Sequence, residues 1–399
     1  MAHDIQRILV LNCGSSSLKF ALLSPEGTHT WLSGLAECLG MENASVTFKQ
    51  GNDKTTQAMP NGGHGQAITL LIDFLDALGW KDSIIAIGHR VVHGGERFDR
   101  PELVTPEVIA EIKALCSLAP LHNPSNLLGI EAAQKAFPGL PQVVVFDTAF
   151  HQTMTPAVYR YAIPPHFYTE YGVRRYGAHG TSHDYVAQQA VELLGLDPDD
   201  HHILIAHLGN GASATAVQNG RSVDTTMGMT PLEGLVMGTR SGDIDPGAIF
   251  HIARQTGMGI DELDDLLNKK SGLIGMTGLS SDYRTVRDAA AEGHEQAQLA
   301  LGVTVHRLAR LLGGLATNFP RLDALIFTGG IGENAPTLRA ATAKRLSLLG
   351  VAVDAERNDA TMLGRAGIIS PADTAGPVVA VIPTNEELMI ARSTAALIG

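Results

Sequence analysis

Twice in this chain an apolar run enters a loop of small polar residues and a second apolar run leaves it. The first unit is RILVL (7–11), the loop Asn12-Cys-Gly-Ser-Ser-Ser17 and LKFALL (18–23); the second is HILIAHLGNGASATAVQNG (202–220). Apolar runs this short, bounded by glycine and hydroxyl residues, read as buried strands rather than helices. A chain of 399 residues is long enough for two domains. The recurrence of one strand-loop-strand unit suggests that the two are related.

The intervening sequence alternates between the two periods. Residues 66–79 have helical apolar spacing, and IIAIG (84–88) reads as a buried strand. TPEVIAEIKALC (105–116) opens with Thr105 as N-cap and Pro106 at the first helical position. A helix over 124–136 and the strand QVVVF (142–146) follow. The second half adds helices near 246–256, 260–268 and 288–312, and a strand at 324–327. A helix to about 349, a strand at 378–383 and a helix at 386–397 complete it. This alternation is the signature of an α/β layered fold. The polar, glycine-rich stretch 51–65 is expected to be an exposed loop.

Composition narrows the function. With 29 basic against 41 acidic residues, a net −12, the chain has no global attraction for nucleic acid or acidic lipid. Any anion it holds must be gripped by local donors. No apolar run reaches the roughly 18 residues of a membrane span, and MAHDIQRILVLN has no secretory signal. Cys13, Cys38 and Cys116 are too few and scattered for a disulfide framework or a cysteine zinc site, which fits a cytoplasmic location. Glycine is in excess, 43 of 399 or about 11% against a usual ~7%, and it clusters in loops.

Three such loops follow expected strands: Asn12 to Ser17, His207-Leu-Gly-Asn-Gly211, and Gly329-Gly-Ile-Gly-Glu-Asn334. Glycine lets backbone N–H groups converge on an anion, and Lys19 stands two residues beyond the first loop. Taken singly each loop reads first as a tight turn; three in one chain, each after a buried strand, point to phosphate instead. No Walker motif is present. Gly330 to Ala335, with Asp354 further on, fits a dinucleotide fingerprint but leaves the first two loops unexplained. Arg90 in GHRVVHGGE and Arg240 in MGTRSGDIDPG are placed to grip a carboxylate or phosphate. Salt bridges to Glu96 or Asp243 are the structural alternative. Asp147 ends the strand QVVVF, where ligands bind in α/β sheets, and His179 lies between glycines. Asp282 and Arg284 either contact a nucleotide or cap the helix that begins there.

Together LVLNCGSSSLKF, GHRVVHGGE, PLHNP, VFDTAFH, YGAHGTSH, HLGNGAS, MTPLEGLVMGTRSGDIDP, SGLIGMTG, FTGGIGEN and PTNEEL resemble the acetate kinase (acetokinase) family, in order from about residue 8 to 391. The resemblance implies two duplicated ribonuclease-H-like domains of the sugar kinase/Hsp70/actin type, with the active site in the interdomain cleft. It assigns residues 1–150 plus 384–399 to an acceptor and metal domain and 151–383 to a nucleotide domain. By motif, Asn12 and Glu386 correspond to the Mg²⁺ residues, for which Mn²⁺ can substitute. Lys19, His207, Leu208, Gly209, Asn210, Gly211, Asp282, Tyr283, Arg284, Gly330, Ile331, Gly332, Glu333 and Asn334 correspond to the ATP contacts. Arg90 corresponds to the acceptor carboxylate ligand; Val92, Leu121 and Pro231 correspond to the methyl pocket. Asp147, His179 and Arg240 correspond to the catalytic set. Ala178 departs from members that carry Phe there. The implied reaction is ATP + acetate ⇌ ADP + acetyl phosphate in a homodimer, with propionate as the alternative acceptor. An ATP-gated binding module and a dinucleotide oxidoreductase are the readings from other classes.

Overall fold

The computed structural model describes residues 5–120 and 122–399. The chain forms two compact units, Met1–Phe150 with Asn385–Gly399, and His151–Thr384. The boundary falls one residue later than the 384 expected. The Thr384 backbone N–H donates to Glu333 Oε1 at 3.4 Å, and its hydroxyl lies 2.7 Å from that of Ser182, both in the second unit.

The first unit holds eight strands: β1 Arg7–Cys13, β2 Leu18–Leu23, β3 Thr30–Glu37, β4 Ser45–Gln50, β5 Asp53–Ala58, β6 Ile84–Val91, β7 Glu102–Leu103 and β8 Gln142–Phe146. Their order is β5-β4-β3-β2-β1-β6-β8-β7. β1 to β5 pair antiparallel, whereas β1, β6 and β8 run parallel. β1 is apolar throughout because both sheet faces are covered. Leu9 and Leu11 pack with helices His64–Ala77 and Asn123–Ala136, while Ile8 and Val10 pack with Glu386–Ile398. That last helix lies so close to β6 that a Cβ on Gly88 would come 2.6 Å from Ile390 Cγ2 and 2.5 Å from Thr394 Oγ1. Thr105 caps helix Pro106–Ala114 by accepting from the Val108 N–H.

The second unit holds β9 His202–Leu208, β10 Ala212–Gln218, β11 Arg221–Thr225, β12 Ala324–Thr328, β13 Gly367–Ile368 and β14 Val378–Val381. Their order is β11-β10-β9-β12-β14-β13. This matches β3-β2-β1-β6-β8-β7 of the first unit. In each, two antiparallel steps lead to three parallel strands, and a short antiparallel strand closes the edge. The recurring strand-loop-strand of the sequence is therefore the start of a repeated six-strand topology, the architecture of the sugar kinase/actin type.

Three local expectations are corrected. Residues 51–65 are not all loop: Asp53–Ala58 is an edge strand whose six residues are all exposed. The single helix over 288–312 is two, Tyr283–Ala291 and Glu295–Ala316. Gly293, at φ +94°, breaks it, and the His294 imidazole caps the second helix by accepting from the Ala297 N–H. Gly329–Asn334 winds as a helical turn rather than an open loop. Helix Glu295–Ala316 is long and apolar enough to cross a membrane, but it buries Ala297, Ala300, Leu308, Leu312 and Leu315 in the unit's core.

Candidate active site

Parallel strands present their carboxyl ends side by side, and in the first unit β1, β6 and β8 bring Asn12, Arg90 and Asp147 together, joined by Lys19 of β2 and Glu386 of the C-terminal helix. Arg90 lies opposite Val145, so Asp147, just past β8, falls beside it; the Asp147 N–H donates to the Val91 carbonyl at 3.0 Å. The Arg90 Nε–H lies 3.0 Å from both Asp147 carboxylate oxygens, and Nη2 also donates to Oδ2. Nη1 donates to Asn12 Oδ1 at 3.2 Å. Glu386, in the first turn of the C-terminal helix, has Oε2 3.8 Å from Arg90 Nε. Its neighbour Glu387 pairs with Lys19, which lies opposite Asn12 in the β1–β2 ladder. Asp147 is 1% exposed and Arg90 19%.

Burial would lower the Arg90 pKa, but Asp147 and Glu386 outweigh it and push it up. Glu386 is raised, first by burial and then by Asp147 and Glu387 against the lowering from Arg90 and Lys19. Arg90 thus has a carboxylate partner, but it is Asp147 rather than Glu96.

Two asparagines missed by the sequence reading hold this end in shape. Asn126 Oδ1 accepts from the Val92 N–H at 3.1 Å, and its Nδ2–H donates to the Cys13 carbonyl at 2.7 Å. Asn123 makes the same two-sided bond with the backbone of His93. Their i, i+3 spacing on one helix, beginning at the asparagine of PLHNP, was the available signal. The Val92 side chain is buried. Leu121 lies outside the described residues.

In the second unit His207, last but one in β9, faces Ser213 of β10. His179 precedes helix Gly180–Leu194 in the left-handed region, φ +57°. Its ring stacks on that of His207, with centroids 4.3 Å apart. A Cβ built on Gly211 would sit 3.4 Å from His179 Nε2 and 3.7 Å from Arg240 Nη1, so both side chains face one small space above that glycine. Arg240 has no carboxylate within ion-pair reach among the described residues. Its Nη1 makes only a long 3.4 Å bond to the Pro231 carbonyl and a 3.9 Å contact with Met237 Sδ. Burial lowers its pKa.

The loop carrying Pro231 is clamped by residues the sequence reading missed. Arg175 Nη1 donates to the carbonyls of Thr225, Thr226 and Met227 at 3.0, 3.2 and 2.8 Å. Its Nη2 pairs with Glu233, which also accepts from the Tyr161 hydroxyl at 2.6 Å.

Gly209, Tyr283 and Ile331 line one narrow apolar pocket with Leu235 and Leu338. The Leu208 side chain is core, so only its backbone is available to a ligand. Asn210 takes the Gly238 N–H on its carbonyl at 2.9 Å, tying the glycine loop to the segment that carries Arg240. Asp282 caps its helix by accepting from the Arg284 N–H at 2.7 Å, and the Arg284 side chain folds back on the same carboxylate. That pairing, first the side-chain bond to Arg284, brings the Asp282 pKa down to about 2. Gly329, at φ +76°, passes so near β9 that a Cβ would meet the Leu208 carbonyl oxygen at 2.8 Å. Gly330 and Gly332 follow in the same turn. Glu333 is raised by burial, and Asn334 donates to the Gly330 carbonyl at 3.0 Å. Asp354 of the dinucleotide fingerprint caps helix Ala355–Ala360.

A sequence profile of the acetokinase family matches residues 7–392. The acetate kinase of Deinococcus radiodurans is 53% identical over 391 residues, 98% of each chain. The crystal structure of a propionate kinase from Francisella tularensis superposes with a TM-score of 0.94 at 45% identity, covering 98% of this chain and 100% of that one. That of Porphyromonas gingivalis acetate kinase gives 0.92 at 43%, covering 99% and 100%.

Proposed function

The chain belongs to the acetokinase family, and on that premise we propose that it is an acetate kinase, passing the γ-phosphoryl group of ATP reversibly to the acetate carboxylate. The observation that carries this reading is Arg240: a half-buried guanidinium with no carboxylate partner among the described residues, sharing a small space with His179 above Gly211. A positive charge kept without an internal counterion is suited to an anion that arrives with the substrate. The dinucleotide reading loses its acidic residue to a helix cap.

Phosphoryl transfer is largely positioning and charge neutralisation. In the proposed reaction an acetate oxygen attacks the γ-phosphorus in line, the bond from phosphorus to the ADP oxygen breaks, and ADP leaves with that electron pair. A simple carboxylic acid titrates near about 4 to 5, so the acceptor is ionised at neutral pH and no proton need be removed. Arg90, its fork fixed by Asp147, orients the acceptor carboxylate. Arg240 and His179 face the oxygens on which charge develops. The backbone of residues 207–211 and 329–334 lies at the strand ends, where phosphates bind.

The residues of the first unit fit Mg²⁺. Among the described residues three carboxylates, Asp147, Glu386 and Glu387, face two cations, Arg90 and Lys19, and Glu386 is raised, first by burial and then by the other two carboxylates. Asn12 and Glu386 would hold the ion through oxygen, directly or through water, a donor set that also takes Mn²⁺. When bound, it would supply charge neutralisation for the phosphate oxygens of the nucleotide.

Propionate is the second reading, favoured by the propionate kinase among the similar structures. One methylene is worth about 1–3 kcal/mol in an apolar pocket, so the choice is one of degree. Relative kcat/KM for the two acids decides it, and acetate is expected to be preferred. A homodimer, which the family resemblance implies, is part of the proposal, and light scattering tests it.

A further inference from the structure

Behind His179 lies a buried file of polar side chains for which phosphoryl transfer has no direct use. Ser213 and His183 are fully buried. The Ser213 hydroxyl oxygen lies 2.9 Å from His179 Nδ1 and 2.8 Å from His183 Nε2. It has one hydrogen to give. The other nitrogen of His183, Nδ1, is buried and has no hydrogen-bond partner among the described residues. The rings of His151 and His207 face His183, and His151 is itself committed, with its Nε2–H donating to the Ala178 carbonyl at 3.0 Å. Burial first, then His151 and His207, holds His183 well below the ordinary histidine range. It is therefore neutral at pH 7 and carries one ring hydrogen.

Two arrangements satisfy both bonds of Ser213 with its own hydrogen used; a third, in which both rings donate to the hydroxyl oxygen, leaves that buried hydrogen with no acceptor among the described residues. If the His183 hydrogen is on Nδ1, it is an orphaned buried N–H. Nε2 then accepts from Ser213, and His179 must donate from Nδ1. If the hydrogen is on Nε2, His183 donates to Ser213, Ser213 donates to His179 Nδ1, and only a ring lone pair is left unmet. Buried N–H groups without an acceptor are rarer than under-used acceptors. The second arrangement is favoured, and it also excludes a doubly protonated His179, which would donate from Nδ1. It leaves the hydrogen of His179 on Nε2, the atom that faces the space above Gly211 beside Arg240.

We infer that Ser213 and His183 are positioning residues that fix His179 as the neutral Nε2–H tautomer, so that it offers a ready hydrogen-bond donor to the group that Arg240 binds. The inference rests on the kinase reading for its purpose and on the hydrogen-bond count for its direction. Fixing the tautomer by the partner of the other ring nitrogen is a general device of histidine sites.

The test is a long-range ¹H–¹⁵N correlation on ¹⁵N-histidine-labelled full-length protein, with His179 identified by the signal lost in His179→Gln. The expected result is a protonated Nε2 and an unprotonated Nδ1. In Ser213→Ala the tautomers should mix and kcat should fall on the order of 10²-fold, the scale of a lost transition-state donor. KM for ATP should stay within about threefold, because the interaction is made mainly in the transition state. A hydrogen on Nδ1 in the wild type overturns the inference without any variant needing to fold. So does a Ser213→Ala protein with unchanged tautomer and kcat. The tautomer is read without turnover, so an Nε2–H wild type that transfers no phosphoryl group would sustain the inference and sink the kinase reading.

Discussion

Replacing Asp147 by Asn keeps the shape of the side chain and removes its charge, and the geometry around Arg90 sets the outcome. Arg90 Nε spans both carboxylate oxygens at 3.0 Å, and Nη2 uses Oδ2. In Asp147→Asn one of those acceptors becomes an NH₂ group facing N–H donors, so the guanidinium fork is released. A misplacement of about 1 Å costs on the order of 10²-fold in rate, and kcat/KM for acetate should fall by about that factor. A charged hydrogen bond contributes roughly 1.5–3 kcal/mol, but the change also removes a neighbour that raises Glu386. The net destabilisation should be about 1–2 kcal/mol, visible as a few degrees in Tm. The assay is acetate-dependent ADP release across a Mg²⁺ titration, with urea unfolding alongside. A variant within threefold of wild type in kcat/KM would refute the idea that Asp147 aims Arg90. So would a wild-type acidic limb, with a pKa clearly above that of acetate, that vanishes in Asp147→Asn while the Mg²⁺ dependence stays the same. Asp147 would then be a base.

Arg240→Ala should lower kcat by about 10²–10³-fold with little change in acetate KM, because its charge is used most in the transition state. Arg90→Ala should chiefly raise acetate KM, and an Arg240→Ala that altered only KM would reverse the two roles. Gly211→Ala should fold normally, its Cβ making ordinary contacts at 3.4 and 3.7 Å from His179 Nε2 and Arg240 Nη1, yet kcat/KM for ATP should drop at least about tenfold as the methyl fills the anion space; wild-type activity would show that the space is unused. His89, buried and brought down to about 4 by desolvation against its bond to Gln142, makes the first unit acid-sensitive. The unfolded chain binds this proton first, so stability is full above about pH 6.5 and is lost between there and about 4, by up to about 3 kcal/mol. His89→Gln should remove that share, and equal losses in variant and wild type on urea unfolding at pH 7.5 and 4.5 would contradict the assignment.

What the sequence shows and hides follows from the kind of interaction. The strands around residues 12 and 209 are legible because burial on both faces leaves an unbroken apolar run. The cap at Thr105 is legible because it is local. Asp53–Ala58 is hidden because an exposed edge strand has no apolar alternation to display. The break at Gly293 is hidden because the flanking segments share one apolar composition, and a histidine cap is an uncommon signal. Each side chain of the site announces its chemistry, but not its partner. Arg90 meets Asp147, 57 residues on, only because β6 and β8 run parallel in one register, and register is a property of the sheet. The bond of His179 to Ser213, and through it to His183, is equally invisible before folding, since serine and histidine have many other uses. Asn123 and Asn126 did carry a helical-spacing signal, but a pair of asparagines after a proline-rich turn reads first as a cap.

An acetate kinase makes an acyl phosphate from ATP and acetate. Phosphorus NMR of the protein with ATP, Mg²⁺ and acetate follows both products in one sample. Acetyl phosphate and ADP should appear one for one, only when acetate is present, and the reaction should run in reverse when acetyl phosphate and ADP are supplied. ADP released at the same rate without acetate, or with inorganic phosphate in place of acetyl phosphate, would contradict the acetate kinase reading.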